Sequence, residues 1–200
     1  MILRSLPEVI AAIPSRDRVI VGIAGAPGAG KSTVAAELAA SLPDSVLLPM
    51  DGFHLPQARL VELGRRDRMG APDTFDVDGF RETLAAVRDS RNDGQPVLAP
   101  AFDRGIEEPV PGAIAISPSF RKVIVEGNYL LHWEGVRELL DVSFFVDLDD
   151  EVRRERLIAR HMRFGKTEDA ARAWTLGPDE RNALLIAATA DRADHRIRLE

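Results

Sequence analysis

Apolar positions along this chain follow two rhythms. RVIVGIA (18–24), SVLLP (45–49), KVIVEG (122–127) and DVSFFVDL (141–148) are short, β-branched or aromatic runs bounded by turn or charged residues, so they predict buried strands. Between them the apolar residues move to helical spacing. Leu3, Leu6, Val9, Ile10 and Ile13 predict a short amphipathic helix before the first strand, and STVAAELAASL predicts one running to about residue 42. LPQARLVELGRRDRMGAPDTFD is helical at first and loop-like after Gly64, and Asp76 or Asp78 caps a helix reaching about Ser90. SRNDGQP is a loop. HWEGVRELL reads as a short helix, an arginine-rich helix starts near Asp150, further helices fill 167–189, and HRIRL closes as a strand. Strands interleaved with helices predict an α/β fold, a mainly parallel sheet flanked by helices, in one domain over 1–200.

Composition narrows the classes of function. The chain has 200 residues, 45% hydrophobic and 29% charged, which suits one globular domain. A net charge of -6 argues against a nucleic-acid partner, because a phosphate backbone needs a basic surface, yet it leaves small anions room at a local positive site. With no cysteine there is no disulfide framework, thiolate zinc site or cysteine nucleophile. No apolar run approaches the ~18 residues a membrane span needs. The amino terminus lacks a signal-peptide pattern. The expectation is a cytoplasmic protein without a membrane partner, with a homodimer left open.

Only three of the 26 basic residues are lysines, Lys31, Lys122 and Lys166. A chain that otherwise uses arginine places the first of them in GAPGAGKS, which satisfies G-x-x-x-x-G-K-[ST], the P-loop. A β-branched strand precedes it and a helix follows, as the motif requires. Its glycines, Gly25, Gly28 and Gly30, let backbone N–H groups turn toward phosphate oxygens, and the helix N-terminus adds its positive end. Together with Ala26, Pro27, Ala29 and Thr33 they predict an ATP cradle in which Lys31 reaches the β and γ phosphates and Ser32 ligates Mg²⁺. The bland alternative is a glycine-rich turn that binds nothing.

Guanine-reading N-K-x-D is absent, and the D-x-x-G at Asp76–Gly79 falls at a helix start, so a GTPase is disfavoured. Ligands of doubly wound sheets lie beyond the strands' carboxyl ends, where this chain places Asp51 and Glu126. A kinase acting on an alcohol needs a carboxylate to orient the hydroxyl and take its proton, the role open to Asp51; Asp51-Gly52 as a plain turn is the rival. Glu126 can hold Mg²⁺ or its water, or merely cap a loop. Arg153, Arg156, Arg160 and Arg163 fall within an arc of roughly 80° on one helix. Asp149 precedes Arg153 by four residues and Asp150 precedes Arg154 by four, whereas Arg156, Arg160 and Arg163 have no acid at pairing distance. That unpaired stripe predicts a helix closing over ATP phosphates, with Arg156 and Arg160 first among its catalytic groups.

Taken together, GAPGAGKS, MDGFH, RMGAPDTFD, PAFDR, VIVEGNYLL and RRERLIARH resemble, over most of the chain, the phosphoribulokinase, uridine kinase and bacterial-type pantothenate kinase group of P-loop kinases. The pattern is most similar to a bacterial branch labelled nucleoside/nucleotide kinase, or fructokinase of a fructose-transport system. The resemblance implies a P-loop NTPase-type fold, a lid region over roughly 150–175, and ATP with Mg²⁺. It implies Asp51 as general base, Ser32 and Glu126 serving the metal, and Phe53, His54, Arg104 and Tyr129 lining the acceptor pocket. For the last four the plainer readings stay open: a packed or solvent-facing His54, an Arg104 paired to Glu107 or Glu108, a Tyr129 in the core.

The expected function is therefore transfer of the γ-phosphoryl group to a hydroxyl of a small polar metabolite, fructose first, with nucleoside and pantothenate-type acceptors behind it. A non-catalytic nucleotide-binding regulator and a nucleotide hydrolase are the readings from other classes. Asp51 and the arginine stripe count against the regulator, since a sensor needs neither.

Overall fold

The computed structural model describes residues 1–89 and 94–198, so Ser90 to Asp93 of the expected loop lie outside the described residues. The strands are β1 (Ile2–Leu3), β2 (Val19–Gly25), β3 (Ser45–Pro49), β4 (Val97–Asp103), β5 (Glu108–Ile116), β6 (Lys122–Gly127), β7 (Val142–Val146) and β8 (His195–Ile197). The helices are α1 (Leu6–Ala12), α2 (Lys31–Ser41), α3 (Gln57–Glu62), α4 (Val77–Asp89), α5 (Glu134–Arg137), α6 (Asp150–Arg163), α7 (Glu168–Trp174) and α8 (Glu180–Ala187).

Six strands form one sheet in the order β1-β8-β7-β2-β6-β3, and every pairing in it is parallel. Both of its faces are covered, which is why β2 and β7 are buried at every position and read as unbroken apolar runs. Alternate residues feed opposite cores. Ile20, Val123 and Val125 join Phe80, Leu84 and Val87 of α4, while Val19, Val21 and Ile124 join Val34, Ala35 and Leu38 of α2. Register then places the chemistry. Ile23 of β2 and Pro49 of β3 both lie opposite Glu126 of β6, so the P-loop, Glu126 and Asp51 emerge side by side at the sheet's carboxyl edge.

The structure refines the local picture. Leu3 belongs to β1, held by Arg196 N–H to Met1 O and Arg198 N–H to Leu3 O, so the first helix starts only at Leu6. The glycine- and proline-punctuated stretch after Asp103 is the turn and second strand of an antiparallel β4–β5 ribbon. Pro109 and Pro111 disguise β5, because proline is at home in a strand whose N–H need not be paired. HWEGVRELL contains one helical turn, α5. Asp76, rather than Asp78, caps α4 by accepting from Gly79 N–H at 3.0 Å, which removes the D-x-x-G reading. Between α7 and α8 the chain makes a π-helical turn over Thr175–Asp179 containing Pro178, whose missing N–H breaks the regular ladder.

Candidate active site

β2 delivers the P-loop, and the loop's glycines are needed for two distinct reasons. Gly28 (φ +81°) and Gly30 (φ +95°) occupy the left-handed region that other residues avoid. A side chain on Gly28 would in addition strike Leu157 and the carbonyl of Arg153, so this glycine also lets α6 dock directly on the loop. Lys31 opens α2 and is buried, its Nζ donating to Ala26 O at 3.1 Å. Burial pulls its pKa below the ordinary lysine value, against the opposing pull of Glu126 and Asp51. The Ser32 hydroxyl donates to Glu126 Oε1 at 3.2 Å. Burial raises the Glu126 carboxyl, and Lys31 is the strongest influence restraining that rise.

Asp51 sits in a 3₁₀ turn, Met50–Phe53, just past β3. Gly52 beside it is not a hinge: the backbone of Pro100 in β4 occupies the space a side chain would need, so the glycine lets the ribbon lie against the turn. Asp51 Oδ2 accepts from Arg104 at 2.7 Å, so Arg104 pairs across the cleft instead of with Glu107 or Glu108. Those two acids are taken by Arg66, at 2.7 Å, and by the backbone N–H of Gln57. His54 Nδ1 faces Asp51 O at 2.8 Å and must donate to it, while its ring lies 4.0 Å from that of Phe75 and 4.8 Å from that of Phe102. Burial lowers the His54 pKa from its ordinary 6.5, so the imidazole is neutral at pH 7.

The arginine stripe divides. Arg156, Arg160 and Arg163 line a cleft of 790 Å³ together with Gly30, Lys31, Ser32 and Thr33. Arg153 does not belong with them: it is 1% exposed and bonded to Asp150 at 2.9 Å and Glu180 at 2.6 Å. Asp149 serves neither arginine; it caps α6 by accepting from Glu151 and Val152 N–H. Arg154 lies 2.6 Å from Glu180 and only 4.0 Å from Asp150, so the main partner comes from α8. The Arg160 guanidinium is held below its ordinary value by desolvation first and then by Arg104, and it remains charged.

A second cavity of 450 Å³ opens on the other side of Lys31. Asp51, His54 and Glu126 line it, and it shares Lys31, Ser32, Arg104, Arg160 and Phe164 with the first. Phe53 and Tyr129 are not on its wall. Phe53 packs 4.8 Å from Phe80 in the core, and Tyr129 is fully buried with its hydroxyl donating to Gly70 O at 2.6 Å. Burial raises the Tyr129 pKa, helped by Asp179 and Asp73. Residues on this wall that sequence reasoning missed are Arg66, Asn128, His161, Lys166, Trp174, Asp179 and Asn182. They come from segments far apart in the sequence whose adjacency has no local signature, although the rarity of lysine singled out Lys166.

Residues 20–194 match the model of the phosphoribulokinase / uridine kinase family. An ATP-dependent kinase-like protein of Aspergillus versicolor, notR', is 41% identical over 133 residues, 62% of this chain and 77% of its own. A Schizosaccharomyces pombe protein provisionally named a uridine kinase is 35% identical over 78% of this chain and 72% of its own. A Silicibacter crystal structure, provisionally described as a fructose transport system kinase, superposes with a TM-score of 0.85 at 36% identity over 96% of both chains.

Proposed function

Because the chain belongs to the phosphoribulokinase / uridine kinase family of P-loop kinases, we propose that it transfers the γ-phosphoryl group of ATP to a hydroxyl of a small polyhydroxylated metabolite, with a fructose-like sugar the first to try. One observation carries this reading. Two cavities meet at Lys31, Ser32, Arg104 and Arg160, one against the P-loop and the other against the Asp51 carboxylate. A nucleotide sensor needs only the first, and a hydrolase has no use for a second cavity of this size bearing an acid.

In this reading the γ-phosphate lies beside Lys31 and Arg160, and Arg156 and Arg163 reach the remaining phosphate oxygens. The acceptor hydroxyl oxygen attacks phosphorus, its proton passes to Asp51, and the bond from phosphorus to the bridging oxygen breaks to leave ADP. Arg104 engages Oδ2 of Asp51, and no described residue bonds Oδ1, which is free to receive the proton. The α6–α7 region, roughly 150–175, acts as the lid that excludes water. Ser32 and Glu126 present hard oxygens to one point, which fits Mg²⁺ held mainly by phosphates; among the described residues no cluster of three acids or histidines exists that would suit an all-protein cage. Bound there, the ion neutralises charge on the phosphates.

A nucleoside acceptor is the second reading, favoured by the aromatic surfaces of Phe75, Phe102 and Trp174 on the cavity wall. ADP release from ATP and Mg²⁺, scored over sugars, sugar derivatives, hydroxy acids and nucleosides, decides between them. Acceptor-dependent release is expected; release at one constant rate whatever is added would make the protein a hydrolase.

A further inference from the structure

The charges on the acceptor cavity are almost all spoken for. Asp51 pairs with Arg104, Glu107 with Arg66, Asp179 lies 2.7 Å from His161 Nε2, and Glu126 accepts from Ser32. Lys31 and Arg160 border both cavities and are assigned to the phosphates in the kinase reading. That leaves Lys166, which lines the acceptor cavity alone and has no acid within ion-pair distance among the described residues. Its ammonium stands 4.8 Å above the ring of Trp174, on the same wall. The end of α6 places its backbone: Gly165 (φ +93°) N–H donates to Met162 O and Lys166 N–H to His161 O, the two bonds of a Schellman turn, and the side chain is exposed. Lys166 is also one of three lysines in a chain that otherwise uses arginine, and two of those three border this site.

We propose that Lys166, backed by Trp174, is an anion subsite, so that the acceptor carries a carboxylate or phosphate group remote from the hydroxyl that Asp51 serves. The aromatic platform fixes the ammonium without neutralising it, which leaves its charge for a ligand. Neutral sugars and nucleosides leave that charge unanswered. The inference rests on the kinase reading of the same cavity and narrows it to acidic polyols.

Two measurements on the full-length protein test it. In ADP-release assays, fructose 6-phosphate is compared with fructose and glycerate with glycerol, so the arms separate phosphate from carboxylate. At least one anion should exceed its neutral partner in kcat/KM by about tenfold to a hundredfold, the worth of one hydrogen bond to a charged group, and Lys166→Gln should erase that preference with the KM for ATP unchanged. Separately, with the P-loop filled by a non-hydrolysable ATP analogue and Mg²⁺, inorganic phosphate should alter tryptophan fluorescence saturably, at least about tenfold more weakly in Lys166→Gln. A phosphate response without turnover on any acceptor upholds the subsite and sinks the kinase reading. Neutral acceptors used as well as anions, or a Lys166→Gln that only lowers thermal stability by weakening the end of α6, overturns the subsite with the kinase intact. Absence of any saturable phosphate response overturns it too.

Discussion

Lys31 and Tyr129 are both rare residue types, yet one borders both cavities and the other lies in the core. Lys31 is buried, bonded to the Ala26 carbonyl and influenced by Glu126 and Asp51, a setting in which a planar fork is no substitute for a compact point charge. Lys31→Ala and Lys31→Arg should both lose phosphoryl transfer and bind ATP weakly while remaining folded; calorimetric titration with ATP checks this, and unchanged affinity in either variant removes the lysine from the cradle. Tyr129, the chain's single tyrosine, resembled a pocket residue, yet its hydroxyl secures the Gly70 carbonyl, which also accepts from Asn182. Tyr129→Phe leaves that carbonyl bonded, so it should cost about 1 kcal/mol of stability in denaturant unfolding and little turnover. The difference was not legible locally: both residues follow a strand, and only tertiary packing turns one toward the cleft.

At the scale of elements, α6 is anchored near its start and borders the cleft along the turns that follow. Arg153 and Arg154 clamp it to Glu180 of α8, while Arg156, Arg160 and Arg163 face the cleft. Arg160→Ala should therefore depress turnover far more than stability, and Arg154→Ala should do the reverse; equal kinetic losses would mean that the stripe is only a solvated face. The clamp has a pH signature. Hydrogen bonding by Arg154 holds Glu180 down to about 2 from its ordinary 4.5. A depressed acid stabilises the fold above its unfolded pKa and loses that contribution as pH falls through its folded one. The stability gap between wild type and Glu180→Gln should thus be full above pH 4.5 and close toward pH 2, as followed by thermal melts. Unpaired arginines could be counted in the sequence, because helical spacing is local. Glu180 as the partner could not, since it lies beyond a π-helical turn that no periodicity announces.

At the scale of the molecule, one parallel register brings the P-loop, Glu126 and Asp51 to the same edge, and the β4–β5 ribbon and the α6–α7 region wall in the space beyond. The strand pattern and the P-loop foretold that edge, because apolar runs and glycine spacing are properties of short segments. The ribbon's role was hidden by its prolines, and Gly52 passed for a turn residue although its function is to admit Pro100. No helix among the described residues is long and apolar enough to cross a membrane. The central claim is that phosphoryl transfer occurs where the two cavities meet, with Asp51 as base. It is tested most directly by measuring ATP affinity and γ-phosphoryl transfer side by side in Asp51→Asn, on whichever acceptor the wild type uses best. The account predicts unchanged nucleotide binding with transfer slowed roughly 10²–10⁴-fold; transfer at a near wild-type rate would contradict it.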